Sequence, residues 1–326
     1  MLSFPGPIWR GKRDRRQGTG GLGIAGNLGL AGRQEPCDLT GRTFLLGVGA
    51  QKTGTSWLYR YLAEHPEAFM PMIKELHVFD AHFRPDWFGR YDRSFPRRLV
   101  QALDRQRARG QAQLTGRALQ LLDRALIGED IRRYPDLFRA LPGPARLTGD
   151  ITPSYAVLDA GHFRQIRQLL TDAGLKPRVV FLMRDPVERV WSATRMWGRK
   201  HGIDDAEQLR AAALAQLDRP EELARSRYDH TVAALEAAFP AEELFFGFYE
   251  TLFCDPSVRA LCAHLGIRYL PGDYGRTINA SPRPAELLPA QAQLIRRALA
   301  PVYEFCETRF GHDLPATWRT RSARAA

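Results

Sequence analysis

Two short stretches place cations and hydroxyls where a backbone turn can present them together. The first is Gly49-Ala-Gln-Lys-Thr-Gly-Thr-Ser56, between the apolar run Thr43-Phe-Leu-Leu-Gly-Val-Gly49 and the amphipathic stretch Ser56–His65. A strand-to-helix turn leaves the first backbone N–H groups of the helix without intrahelical partners, and the helix dipole adds positive potential at that end. Lys52, Thr53, Thr55 and Ser56 add an ammonium and hydroxyls. The set suits a phosphate or a sulfate; the plainer reading is an ordinary turn. It is not a Walker A loop, because Lys52 precedes Gly54 and G-K-[ST] is missing. The second stretch, Arg184-Asp-Pro-Val-Glu-Arg-Val-Trp-Ser192, follows the apolar run Arg178–Met183. Arg184 stands at the carboxyl end of that run, where open α/β sheets take their ligands. Ser192 lies about two helical turns further on. An arginine fork and a hydroxyl so placed can hold a phosphate. An ion pair of Arg184 with Asp185 or Glu188 is the simpler alternative.

These stretches need strands behind them. The continuous apolar runs at 43–49 and 178–183 read as strands buried on both faces, and 146–151 and 244–249 are further strand candidates. Helical patterns separate them, so the expected class is α/β with a parallel sheet flanked by helices. Trp57, Leu58, Tyr61 and Leu62 share one face of the first helix, which Pro66 stops. The segment 84–146 is Arg-rich and helical in pattern, with Leu114, Ala118, Leu121, Leu122 and Ala125 at helical spacing. Further helices are expected near 256–265 and 286–310. Residues 1–41, crowded with glycine, read as a flexible leader, 42–315 as one folded domain and 316–326 as a basic tail.

Composition sets limits. At 326 residues, with 44% hydrophobic and 25% charged side chains, the chain is neither disordered throughout nor a collagen or disulfide scaffold. No uninterrupted apolar stretch approaches the length of a membrane span. The net charge of +11 sits largely at the ends: residues 1–42 hold seven basic groups against three acidic ones, and 316–326 hold three arginines. A nucleic-acid-binding body is therefore not implied, and no nucleic-acid partner is expected. Only five lysines occur, which makes Lys52 conspicuous. Cys37, Cys254, Cys262 and Cys306 form no C-x-x-C pair and no compact Cys/His cluster, so reduced thiols in a cytoplasmic protein without structural zinc are expected. The basic N-terminus leads into a Gly-rich stretch and not into the apolar core of a secretory signal.

Gln51-Lys-Thr-Gly-Thr-Ser56 resembles the 5′-phosphosulfate loop of sulfotransferases, and Arg184-Asp-Pro-x-x-Arg-x-x-Ser192 resembles their 3′-phosphate motif. The two occur in the family's order and at about its separation, each after a strand. Lys74-Glu-Leu-His-Val-Phe-Asp80 and Asp150-Ile-Thr-Pro-Ser-Tyr155 resemble segments of the heparan-sulfate-modifying branch and its bacterial relatives, and Asn279–Arg283 more loosely a late cofactor-contacting loop. The likeness covers about residues 42–313 and implies a P-loop-like sulfotransferase fold. It also implies transfer of a sulfuryl group from 3′-phosphoadenosine 5′-phosphosulfate (PAPS) to an acceptor hydroxyl, with carbohydrate favoured and no metal needed. By this resemblance Lys52 contacts the phosphosulfate, and Thr53, Gly54, Thr55 and Ser56 hold the same group by backbone and hydroxyl bonds. Arg184 and Ser192 hold the 3′-phosphate, and Arg283 adds a contact. Glu75 matches the catalytic glutamate of the branch. His77, two residues on, is the alternative base, and a surface pair Lys74–Glu75 is the plain alternative to both.

An alternating segment puts Glu75, His77 and Phe79 on one face, with Leu76 and Val78 packed inward. Burial is then expected to raise the pKa of Glu75 toward that of a useful base. One position departs from the branch: Ile151 stands where it has Lys, so another cation must serve or the geometry differs. The segment 84–146 is longer than the branch needs and reads as acceptor-side. Two other functions compete. A P-loop-like nucleotide kinase or hydrolase lacks its G-K-[ST] and a Walker-B-like Asp, and an anion- or nucleic-acid-binding protein lacks interleaved aromatic and basic residues. The oligomeric state is not legible.

Overall fold

The computed structural model describes residues 37–111, 114, 116–139, 145–275 and 286–319. The expected leader up to 36, Arg283 with its loop, and the tail from 320 lie outside the described residues. Five strands form one sheet: β1 (Thr43–Gly49), β2 (Ala68–Phe69), β3 (Leu147–Ile151), β4 (Lys176–Met183) and β5 (Leu244–Phe248). Their order is β2-β3-β1-β4-β5, and every pair is parallel. Leu46 stands opposite Asp150 of β3 on one side and Val179 of β4 on the other. The fold is α/β.

The residue types of β1 and β4 follow from burial on two faces. Phe44, Leu46 and Val48 of β1 enter a core with Phe138, Phe163, Phe181 and Trp191. Leu45 enters the opposite core with Trp57, Leu58, Val180 and Leu182. Four strands stand close to where the sequence puts them. The edge strand β2 has only two residues, too few to leave a pattern. Gly149 lets β3 approach β1: a Cβ there would lie 2.3 Å from the carbonyl oxygen of Leu45.

The helices used below are α1 (Thr55–Ala63), α2 (Phe79–Phe83), α3 (Arg90–Ala108), α4 (Gly116–Glu129), α5 (Ala160–Asp172), α6 (Pro186–His201) and α7 (Ala316–Arg319). Helix α4 begins after Leu114, and its buried face is Ala118, Leu121, Arg124 and Ile127, not the all-apolar stripe expected. The packed body also runs beyond 315. Trp318 of α7 is 1% exposed, edge-on to Phe248 at 5.5 Å, because an indole of that size gains more by covering the end of β5 than by standing in water. No helix among the described residues is long and apolar enough to cross a membrane.

Strand order reverses at β1. The chain leaves β3 on one side of it and β4 on the other, so the loops after β1, β3 and β4 open into one crevice at the carboxyl edge.

Candidate active site

The loop after β1 is fixed by its own backbone. Ala50 N–H donates to Leu182 O at 2.6 Å, and the Thr53 hydroxyl donates to Ala50 O at 2.6 Å. Lys52 (φ 74°) and Gly54 (φ 89°) both take left-handed conformations. A Cβ on Gly54 would also lie 3.0 Å from Leu252 Cδ2 and 3.2 Å from Phe253 Cζ, so glycine is required for conformation and space alike. Gly54 caps α1 without a side-chain hydrogen bond, so the positive end of the helix dipole opens directly onto the loop. Thr53 is fully buried and its hydroxyl, expected on the ligand, is engaged inside the loop, where it braces the turn.

Five cations gather around this loop. Burial, and then the charges of Arg199, Arg184, Arg195 and Lys74, push the Lys52 ammonium down to about 8. Arg184 Nη1 donates to Lys52 O at 3.3 Å, and its guanidinium lies 4.3 Å above the Tyr249 ring. Its buried Nε makes no hydrogen bond, and its closest carboxylate is Glu188 at 3.5 Å. Asp185 does not pair with it. That carboxylate caps α6, accepting from Val187 N–H at 2.9 Å and from the Tyr303 hydroxyl at 2.8 Å. Ser192 is buried at 6% exposure on α6, with Arg195 and Arg199 one and two turns beyond it.

Lys74 joins the loop to a second cluster. Its Nζ donates to Ser56 Oγ at 2.5 Å and stands 3.1 Å from Glu75 Oε1. The stretch from Glu75 is not extended. Glu75 (φ 58°) and His77 (φ 50°) are left-handed, at a cost of roughly 1–2 kcal/mol each for a residue with a Cβ. Leu76 and Val78 are buried as expected, but Phe79 opens α2 and packs among Tyr134 and Tyr155 instead of facing the cleft. The apparent alternation comes from two left-handed residues between buried neighbours, not from a strand.

His77 is held on every side. Its Nδ1 lies 2.7 Å from Asp80 Oδ2 and its Nε2 3.7 Å from Glu75 Oε2, and its ring stacks on Tyr91 at 3.5 Å. Ser154 donates its hydroxyl to Asp80, itself fully buried. Burial pushes His77 down, yet the bond to Asp80 and the neighbouring Asp80 and Glu75 charges outweigh it, and its pKa is raised. Burial likewise acts to raise Glu75, but the adjacent His77 and the Lys74 charge overcome it and hold the carboxyl at about 2. The raised Glu75 expected from the sequence is therefore overturned: burial was anticipated, the flanking cations were not.

The segment after β3 braces this cluster. Tyr155 accepts from Val78 N–H at 3.2 Å, and its hydroxyl donates to the buried Asp150 at 2.6 Å. Ile151 is 2% exposed and packs in the apolar cluster beside Leu45 and Trp57, so it faces core and not ligand. Arg195, Arg199 and Asp80 carry the cluster but were not singled out from sequence, and Lys74 was named only as the partner of Glu75, a pair that is present here. Arg195 and Arg199 could have been found as the continuation of the Ser192 face at i+3 and i+7, and Asp80 as the acid one turn from His77. Among the described residues no group of three or more His, Cys, Asp or Glu is placed to hold a metal ion.

A crevice at the switch point of a parallel sheet, lined by cations and a carboxylate, defines an anion-handling α/β enzyme site. A profile of the sulfotransferase family matches residues 45–271, more than two thirds of the chain, and the chain belongs to that family. In fold it is similar to a sulfotransferase from Alicyclobacillus acidocaldarius, with a TM-score of 0.58 and 23% identity over 85% of this chain and 98% of that one. The sulfotransferase domain of the Synechococcus PCC 7002 olefin synthase aligns with a TM-score of 0.45 and 18% identity, over 87% of this chain and 98% of that one. The sulfotransferase domain from the curacin biosynthetic pathway aligns with a TM-score of 0.45 and 19% identity, over 80% and 98%. No curated protein sequence matches the chain.

Proposed function

We propose that this sulfotransferase uses PAPS as donor and a hydroxyl, most naturally of a carbohydrate, as acceptor. The observation that carries the reading is the Ser56–Lys74–Glu75 contact, which sets a carboxylate base one side chain away from the anion loop. Lys52 and the first-turn amides of α1 hold the phosphosulfate; Arg184 and Ser192, with Arg195 and Arg199 beside them, hold the 3′-phosphate. The acceptor oxygen attacks sulfur in line. An O–S bond forms, the bridging S–O bond to the 5′-phosphate breaks, and the acceptor proton passes to Glu75. Adenosine 3′,5′-bisphosphate leaves. Lys52 stabilises the charge growing on the leaving phosphate. His77, with acids at both nitrogens, favours the imidazolium and orients Glu75 instead of competing for the proton. A cytoplasmic location belongs to the same reading, supported by four cysteines present as free thiols.

The test is transfer of label from PAPS to a panel of hydroxylated carbohydrates, lipids and small metabolites, with thermal shifts by adenosine 3′,5′-bisphosphate and by ATP alongside. Stabilisation by ATP alone, with no labelled product, would favour the nucleotide hydrolase instead. A sharper result is expected at Arg184. The protein prefers PAPS to the analogue lacking a 3′-phosphate, and Arg184→Ala loses about 1.5–3 kcal/mol of that preference, the strength of a charge-assisted hydrogen bond. Competition binding of the two nucleotides measures it, and an unchanged ratio removes Arg184 from the 3′-phosphate.

A further inference from the structure

The Arg-rich helical segment has no part in the chemistry above, yet it reaches the base. Arg124 lies on the inward face of α4 at 1% exposure, where an apolar side chain would be ordinary. Its guanidinium points at the backbone of the base segment. Nε donates to Leu76 O and Nη2 to His77 O, each at 2.6 Å. Nη2 also donates to Asp92 Oδ1 on α3 at 2.5 Å, and the plane of the fork lies 4.4 Å from the centre of the Phe95 ring. The captured carbonyls belong to the residue between the two left-handed positions and to the second of those positions, Glu75 and His77. Those conformations persist only where the surroundings over-determine them.

We propose that Arg124 is the positioning residue that sets the Glu75–His77 pair, and that Asp92 aims it; this rests on the assignment of Glu75 as base. A guanidinium suits the task because it donates to two carbonyls and a carboxylate from one rigid plane, which an ammonium on a flexible stem cannot reproduce. The device explains why two helices are added beside the crevice. Helices α3 and α4 pack on each other, and each supplies one half of the Asp92–Arg124 pair. Outer residues that orient a reacting group commonly change activity 10–100-fold.

Three substitutions test it: Arg124→Lys, Arg124→Met and Asp92→Asn. Each is measured by single-turnover transfer from PAPS, by titration with adenosine 3′,5′-bisphosphate, and by the ¹⁵N shifts of the His77 imidazole. The groups facing that ring are Glu75 and Asp80, with the Asp150 charge also felt there, Tyr91 stacked on it and Lys74 beyond Glu75. Arg124→Met is expected to lose about 10–100-fold in kcat with the dissociation constant for the bisphosphate within twofold, and Arg124→Lys and Asp92→Asn to lose less. The His77 shifts move away from the imidazolium pattern in all three. Should Arg124→Met fail to fold, Arg124→Lys and Asp92→Asn decide the matter. Unchanged kcat and unchanged His77 shifts in folded variants overturn the proposal. A loss of bisphosphate binding equal to the loss of kcat overturns it also, since that marks general damage to the fold. If the unaltered protein transfers nothing from PAPS, the functional reading fails by itself, and the His77 shifts still decide whether Arg124 sets the pair.

Discussion

Lys52→Met is expected to lower kcat/KM for transfer from PAPS by about 10²–10³-fold or more, the loss seen when one preorganised donor is taken from a developing oxyanion. Lys52 is the cation inside the anion loop itself, and its ammonium is partly desolvated among Arg184, Arg195, Arg199 and Lys74. In such a site a charge interacts more strongly than in water. The same crowding gives a second, independent signature. With the ammonium pushed down to about 8, the free enzyme loses this cation as pH rises through that value, so kcat/KM for the donor falls on an alkaline limb near 8. A bound anionic donor favours the ammonium, so the alkaline limb of kcat itself lies at higher pH. Steady-state rates of the unaltered protein between pH 6 and pH 10 separate the two profiles, and Lys52→Met loses the limb along with the activity. A variant with near-normal kcat/KM, or a profile flat through this range, removes Lys52 from the donor site.

Why part of this site can be read from the chain and part cannot is a matter of range. β1 and β4 are buried almost throughout, and that demand writes the continuous apolar runs at 43–49 and 178–183; β3 is buried but carries Thr148, Gly149 and Asp150, and the edge strand β5 is apolar but only half-buried. The loop at 50–56 is equally local, because its glycine, lysine and hydroxyls are neighbours in sequence. The base segment is different. Glu75-Leu-His-Val-Phe79 alternates like a strand, but what sets its backbone is a guanidinium 47 residues from His77 and a tyrosine hydroxyl 77 residues from Val78. No local pattern carries those partners. The Glu75 carboxyl shows the same limit in electrostatic terms. Burial can be guessed from a hydrophobic neighbourhood, and it does push the group up. The opposing charges depend on where Lys74 and His77 turn their side chains, which the left-handed backbone decides. Arg124 is the reverse case: in a helical pattern an arginine is read as solvated, and only the unfilled carbonyls of Leu76 and His77 explain its place in the core.

Glu75→Gln should then lose about 10²–10⁴-fold in kcat while donor binding is retained, since general-base catalysis supplies a gain of that order. The amide keeps the size of the side chain and removes its ability to take a proton. The carboxyl, on a side chain 38% exposed, is held at about 2 by the neighbouring His77 and Lys74 against the pull of burial. Its folded-state pKa lies below its ordinary value. The unaltered enzyme therefore shows no acid limb from Glu75 between pH 5 and pH 8, and the base stays charged down to the region of 2. Taking away either depressing partner reverses the sign. His77→Ala removes the imidazole 3.7 Å from Oε2, and Lys74→Met removes the ammonium 3.1 Å from Oε1, so in each variant Glu75 titrates higher and the acid limb climbs toward neutrality. These two variants lose less kcat than Glu75→Gln, because each keeps the carboxylate. Single-turnover rates from pH 4 to pH 9, with bisphosphate titrations beside them, read all three. A larger loss for His77→Ala than for Glu75→Gln would give the proton to the imidazole. A fully active Glu75→Gln would leave Glu75 a structural partner of Lys74, and the proton would need another acceptor.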